Sequence, residues 1–260
     1  PSETIVNILK NKNYVGIEGY GKGFTYRRCQ VFKNDSKYNW KYKEALHEYP
    51  CCDIPNHKQI HIDGDYYIDS RRLGARNKDP LKYYNDAQVF EELLRENPHN
   101  DRNAFYCAQS YYDHGDFQNS IKWYKKRVEI GGWFEEVFYS YYKIAGAMEN
   151  LQLPWKEVEQ AYMNGFNYCK QRSEPLYDIA KHYRLAGDFQ NGYKFAKKAS
   201  YIPYPEKCVL FIHKDVYEYK IHDELSLNAY YLGKYHESYS ICQKLLKSNV
   251  VPVEDIPRIQ

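Results

Sequence analysis

The stretch Ala108-Gln-Ser-Tyr-Tyr-Asp-His-Gly115-Asp-Phe-Gln-Asn119 is echoed 72 residues later as Ala180-Lys-His-Tyr-Arg-Leu-Ala-Gly187-Asp-Phe-Gln-Asn191. A third echo is Ala229-Tyr-Tyr-Leu-Gly233-Lys-Tyr235. Recurrence at a fixed period of this size marks a repeat architecture. The residue types explain what repeats. A small residue (Ala108, Ala180) lets two helices approach closely, and an aromatic three positions on (Tyr111, Tyr183) fills the next turn of the same face. Gly115, Gly187 and Gly233 can end the first helix in a left-handed conformation. Phe117, Phe189 and Tyr235 then anchor a second helix, and Ser120, Gly192 and Ser238 supply its point of close approach.

Working outward, Trp133 to Asn150 carries helical periodicity through Val137, Tyr141, Ile144, Ala145 and Met148. Leu151 to Pro154 replaces the glycine turn, and Trp155 to Tyr168 forms the partner helix. Leu81 to Glu96 reads as an earlier amphipathic helix stopped by Pro98. Between Ala199 and Asp215 the pattern breaks at Ile202-Pro203-Tyr204-Pro205, and Val209 to Ile212 reads as a short extended or capping segment. Half of the 72-residue offset is close to the TPR unit of about 34 residues. The expected fold is mainly α: a TPR-like helical-hairpin solenoid over 81–260, preceded by a small α/β segment over 1–80. Such an array presents a concave surface suited to a peptide or protein partner.

The 30 tyrosines explain how a chain that is 43% hydrophobic has a mean hydropathy of −0.82. A ring with a polar tip suits half-buried layers between helices, or a stacking surface for sugars or bases. Against 34 acidic residues stand 37 basic ones, for a net charge of +3. That balance argues against nucleic acid, which calls for a concentrated basic face. Lys125-Lys126-Arg127 and Lys197-Lys198 lie near helix ends, where they are expected to face solvent and complement the helix dipole. Seven scattered cysteines without a CxxC pair point to a reducing, cytoplasmic compartment. No apolar run is long enough to span a membrane.

The first eighty residues have a different period. Tyr14 to Ile17, Phe24 to Phe32 and Gln59 to Ile62 read as short strands. Gly19, Gly21 and Gly23 form a hairpin loop or, alternatively, a phosphate loop. His47-Glu48 could supply a general base and its neighbour, or be structural. His57 and His61 beside Asp63 and Asp65 could hold a metal, or flank a solvated turn. Arg71, Arg72 and Arg76 could pair with phosphates, or be surface charges.

The order of these features resembles a known family. It runs Trp40, Leu46-His47-Glu48, Ile60-His61, Asp63-Gly64, Arg71-Arg72, Lys78-Asp79 and Glu96-Asn97-Pro98. It continues through Arg102, Phe105-Tyr106, Trp123-Tyr124, Arg127, Gly131 to Val137, Glu174 to Tyr177 and Lys214 to Tyr219. It is similar to the C-terminal portion of family 2 (GT-A) glycosyltransferases with TPR-like tails, found in bacteria and giant DNA viruses. The resemblance implies transfer of a sugar from a nucleotide-sugar donor to a glycan or protein acceptor, assisted by a divalent Mn or Mg ion. It implies Glu48 as catalytic base with His47 beside it, and His61 and Asp63 as metal ligands. Trp40, Arg71 and Arg72 would then bind substrate. The family's donor-binding strands and main DxD lie upstream of these motifs, so the chain is expected to be a fragment or truncated relative, weakly active or inactive by itself. The alternative is a non-catalytic TPR scaffold that binds a protein or peptide. In a virus the location would be the host cytoplasm.

Overall fold

The computed structural model describes the backbone of residues 7–13, 24–43, 46–57, 60–61, 68–69 and 78–260, and the side chains of 32–43, 46–57 and 78–260. The chain divides into two compact units, Pro1–Pro80 and Leu81–Gln260.

In the first unit, β1 (Asn7–Asn13) pairs antiparallel with β2 (Phe24–Val31), from Asn13 opposite Phe24 to Ile8 opposite Cys29. The other edge of β1 takes two short parallel strands, β5 (Ile60–His61) and β6 (Ile68–Asp69). A separate hairpin joins β3 (Lys41–Lys43) to β4 (Tyr49–Cys51). Besides strands, the described residues of this unit hold a 3-10 turn, Ser36–Tyr38, capped by Asp35. Tyr14 to Ile17 and the Gly19-Gly21-Gly23 loop lie outside the described residues.

The second unit is all helix and connection. It begins with α1 (Lys82–Glu96). Four hairpins follow: α2 (Asp101–His114) with α3 (Phe117–Ile130), α4 (Phe134–Asn150) with α5 (Trp155–Tyr168), α6 (Glu174–Leu185) with α7 (Phe189–Ala199), and α8 (Ile221–Tyr231) with α9 (Tyr235–Lys247). A π-helical turn, Val216–Lys220, leads into α8, and a short α10 (Ile256–Ile259) packs its Ile259 with Tyr219 and Leu245.

The repeated residues do the structural work. Ala108, Ala145, Ala180 and Ala229 are fully buried in the four first helices. Gly115, Gly187 and Gly233 take φ of 90°, 80° and 73°, so each turn uses a conformation that costs a side-chain-bearing residue free energy. The next residue explains why the echo extends to Asn119 and Asn191. Asp116 accepts from the backbone N–H of Asn119, and the Asn119 side chain donates back to Asp116 at 2.7 Å. Asp188 and Asn191 repeat the same two-bond cap.

Several tyrosines bond between helices. The Tyr111 hydroxyl donates to Glu91 of α1 at 2.9 Å, and the Trp123 ring N–H donates to the same carboxylate oxygen. Tyr162 donates to Glu149, Tyr183 to Glu159 and Tyr193 to Glu237. In each the ring supplies apolar packing while the hydroxyl satisfies a carboxylate that would otherwise face a helix seam.

One expectation changes and another resolves. Arg127 was expected to face solvent, yet it is fully buried. Its Nη2 lies 2.9 Å from Glu136 Oε2 at the start of α4 and 3.5 Å from Asp101 Oδ2, and its Nη1 donates to the Gly131 carbonyl. The guanidinium is the hinge pin between two hairpins, because a charge can be buried only with its partners satisfied. Val209 to Ile212, expected as an extended or capping segment, forms no strand and takes the capping role, as part of an irregular insert between α7 and α8 that packs on the first helices. The spacing of the small residues records the insert, at 35 residues from Ala145 to Ala180 but 49 from Ala180 to Ala229.

Candidate functional site

The sequence-derived site residues are not brought together among the described residues. Glu48 and His47 are exposed in the turn between β3 and β4, with His47 at a φ of 53°. Trp40 is engaged in packing: its ring N–H donates to the Lys33 carbonyl at 3.1 Å, and the ring stacks on Tyr38 and meets His57 edge-on. His57 Nδ1 lies 3.3 Å from Cys52 Sγ. His61 is placed by its backbone in β5, opposite Ile8, and its side chain lies outside the described residues. Asp63, Arg71 and Arg72 also lie outside them. Among the described residues no group of three His, Cys, Asp or Glu side chains converges as a metal site would require.

A denser cluster of polar chemistry lies on the first helices of the second unit. α2 packs beside α4, and α6 beside α8. Tyr112, four residues after its hairpin's buried alanine, and Lys143 and Asp178, each two residues before theirs, bring three successive hairpins to this face. Lys143 Nζ sits 3.3 Å from the centroid of the Tyr112 ring and 5.8 Å from that of Tyr139. Burial pushes the Lys143 ammonium down to about 8, with Asp113 opposing. Tyr142 donates to Asp178 Oδ2 at 2.6 Å. Burial pushes the Asp178 carboxyl up to about 7, against the pull of that hydrogen bond and of Lys181.

The insert closes one end of the face. Glu135 Oε2 accepts the backbone N–H groups of Val209 and Leu210 at 2.8 and 2.7 Å. Arg172 donates to the carbonyls of Leu210 and Phe211 at 3.1 and 3.2 Å, and its charge is met by Glu174 at 2.8 Å. Tyr217, on the π-helical turn, donates to Glu174 at 2.6 Å. Phe211 packs on Tyr139, and His213 meets the edge of Tyr142. Burial lowers the His213 pKa, favouring the neutral ring. A separate groove of about 680 Å³ lies among α3, α4 and α5, lined by Val128, Tyr141, Ile144, Met148 and Ala161 together with Lys125 and Lys156.

Asp178 gives a pH test. Its pKa is raised from 3.8 to about 7 on folding, so the folded chain holds a proton that the unfolded chain has lost, and stability falls as pH rises through that window. Asp178→Asn keeps an acceptor for Tyr142 and removes the titration. It is expected to be more stable than the wild type at pH 8 by about 1–2 kcal/mol, with no gain at pH 4. Denaturant midpoints at the two pH values measure this; an equal difference at both would show that the proton is not held.

Sequence reading missed this face, although aligning the hairpins on their small residues exposes it. Tyr106, Lys143 and Asp178 each stand two residues before the alanine; Tyr112, Glu149 and Arg184 each stand four after it.

No protein-family model matches the chain, and no curated protein does. Solved structures match its fold. MamA protein aligns with a TM-score of 0.50 and 15% identity, over 72% of this chain and 92% of that one. The C-terminal part of a TPR repeat-containing protein from Cytophaga hutchinsonii aligns with a TM-score of 0.50 and 14% identity, over 65% of this chain and 60% of that one. BtubC (BKLC) from P. vanneervenii aligns with a TM-score of 0.50 and 9% identity, over 72% and 80%. At such identities the likeness concerns fold alone. The helical unit is a TPR-like solenoid of helical hairpins. Among the described residues no helix is long and apolar enough to cross a membrane.

Proposed function

We propose that this chain is a helical-repeat scaffold that binds a protein or peptide partner on the face formed by α2, α4 and α6. The observation that carries this reading is the meeting of Tyr112, Lys143, Tyr142 and Asp178 from three hairpins on one half-buried surface. Repeat solenoids expend their cores on stacking and present such faces to partners. Aromatic rings with polar tips suit that role, since they bury area while still offering hydrogen bonds.

A displayed peptide library panned on the full chain tests it. Asp113 and Lys181 are exposed on α2 and α6, so reversing both charges (Asp113→Lys with Lys181→Glu) should leave the fold intact. Enriched peptides are expected to lose tenfold or more in affinity, about 1.4 kcal/mol. Lys156→Glu, in the separate groove among α3, α4 and α5, should leave binding unchanged. No enrichment, or peptides indifferent to the double reversal, would remove the face from consideration.

The glycosyltransferase reading is supported by the order of motifs from Trp40 to Tyr219. It makes a separate demand: a UDP-sugar with Mn²⁺ at ten times its dissociation constant should stabilise the chain by about 1.4 kcal/mol. A melting temperature unmoved by any nucleotide sugar leaves the scaffold as the better account.

A further inference from the structure

In a stacked array the second helix of each hairpin receives the hairpin that follows. α7 shows what that reception involves. Phe189 stacks on Tyr231 of the fourth hairpin, with ring centroids 4.2 Å apart. The Tyr193 hydroxyl donates to Glu237 at 2.8 Å, and Lys234 Nζ lies 5.1 Å from the centroid of the Tyr193 ring. Aligned on Gly187 and Gly233, α9 carries the same slots. Tyr235 stands in the place of Phe189, Ser238 in that of Gly192, Tyr239 in that of Tyr193 and Cys242 in that of Ala196. Among the described residues no further hairpin follows α9. The short α10 packs in one cluster with Cys242, Leu245 and Leu246, and so covers the later half of α9. The two aromatic slots stay uncovered: Tyr235 is 62% exposed and Tyr239 66%, whereas Phe189 and Tyr193 are half-buried. Tyr230, 55% exposed, extends the patch by meeting the Tyr235 ring edge-on at 5.3 Å.

We propose that a second copy of this chain covers these slots, the two α9 helices facing each other across a two-fold axis. The internal precedent sets the chemistry of the occupant. What seats on Phe189 and Tyr193 is a tyrosine-bearing hairpin of this same chain. A second copy brings another such hairpin. Its Tyr231 and Glu237 are already engaged with its own α7, which leaves Tyr230, Tyr235 and Tyr239 to make the contact. A two-fold axis sets like against like. Tyrosine suits that arrangement, because its ring stacks on another ring and its hydroxyl both donates and accepts. Lys234 and Glu237, on the same turn as Tyr235, are directed to Tyr193 and Lys197 of α7. The three uncovered rings offer roughly 400 Å² per copy, at ~200 Å² per ring. A standard interface buries ~800 Å² per partner, so the pairing is expected to be weak, with a Kd of ~10–100 µM. It does not depend on the α2–α4–α6 face.

Sedimentation equilibrium of the full chain from about 1 to 500 µM tests the pairing. The weight-average mass is expected to rise with concentration from 31.2 kDa toward twice that value. Tyr235→Glu with Tyr239→Glu sets like charges face to face and should weaken the dimer ~10-fold or more. The melting temperature of that variant should stay within ~2 °C of the wild type, since both side chains are exposed. Tyr235→Phe with Tyr239→Phe keeps the rings and should pair within ~3-fold of the wild type. Tyr201→Glu, 74% exposed on the insert, should leave pairing unchanged. A chain that stays monomeric at the highest concentration would overturn the proposal and leave the slots to a different protein. A dimer that survives the double Glu substitution, or one that Tyr201→Glu weakens equally, would overturn it as well.

Discussion

Arg172→Ala is expected to destabilise the helical unit by about 3–5 kcal/mol, the range for breaking a buried ion pair from one side. Arg172 is 1% exposed, and its guanidinium does three jobs at once. It neutralises Glu174, it donates to the Leu210 and Phe211 carbonyls, and it lies over the Phe138 ring at 4.5 Å. Alanine would strand Glu174, itself 1% exposed, and leave two insert carbonyls without their donor. Arg172→Met combined with Glu174→Leu removes both charges and is expected to recover part of the loss, because no lone charge remains buried. Urea denaturation of the full chain measures all three proteins. A single-variant loss below about 1 kcal/mol would mean that water reaches Glu174 more freely than its burial implies.

Gly192→Val is the second large effect, by a different cause. Gly192 is the fourth residue of α7 and faces Asn228 of α8. A Cβ there would overlap Asn228 Oδ1 and lie 2.8 Å from Asn228 Cγ. Asn228 cannot swing away cheaply: it is fully buried, and its amide donates to the Glu224 carbonyl and carboxylate. Overpacking at such a contact costs about 3 kcal/mol, against a helix-propensity gain of a few tenths. For a unit of this size that corresponds to a melting temperature lower by about 6–12 °C. Adding Asn228→Ala removes the obstructing atoms and should restore part of the stability. A Gly192→Val protein that melts with the wild type would refute the close approach.

These two sites differ in how legible they were. Gly192 was readable, because close approach requires a small residue and the same slot holds Ser120 and Ser238 in sister hairpins. The turns were readable for the same reason, since Gly115, Gly187 and Gly233 each solve one local steric problem. Arg172 was not. Its partners Leu210 and Phe211 lie 38 and 39 residues away, and no periodic pattern links them. Arg127 was misread because its basic neighbours suggested a solvated helix end, while its partner Glu136 lies beyond a Gly131-Gly132 turn. The Lys143–Asp178 face required three hairpins to be aligned before its residues fell into one column. The glycosyltransferase residues depended on motif order, which constrains no distance.

The insert has a consequence for how the chain folds. In a plain solenoid each hairpin contacts only its neighbours, so repeats can form and melt nearly independently. Here Glu135 binds backbone 74 and 75 residues further along, and Arg172 ties the same segment to α6. The second and third hairpins therefore complete their polar contacts only after residues beyond α7 have arrived. Such a clasp raises contact order and slows the final step of folding. In return it makes α4 through α8 unfold as one cooperative block, where an unclasped array would fray repeat by repeat from its ends.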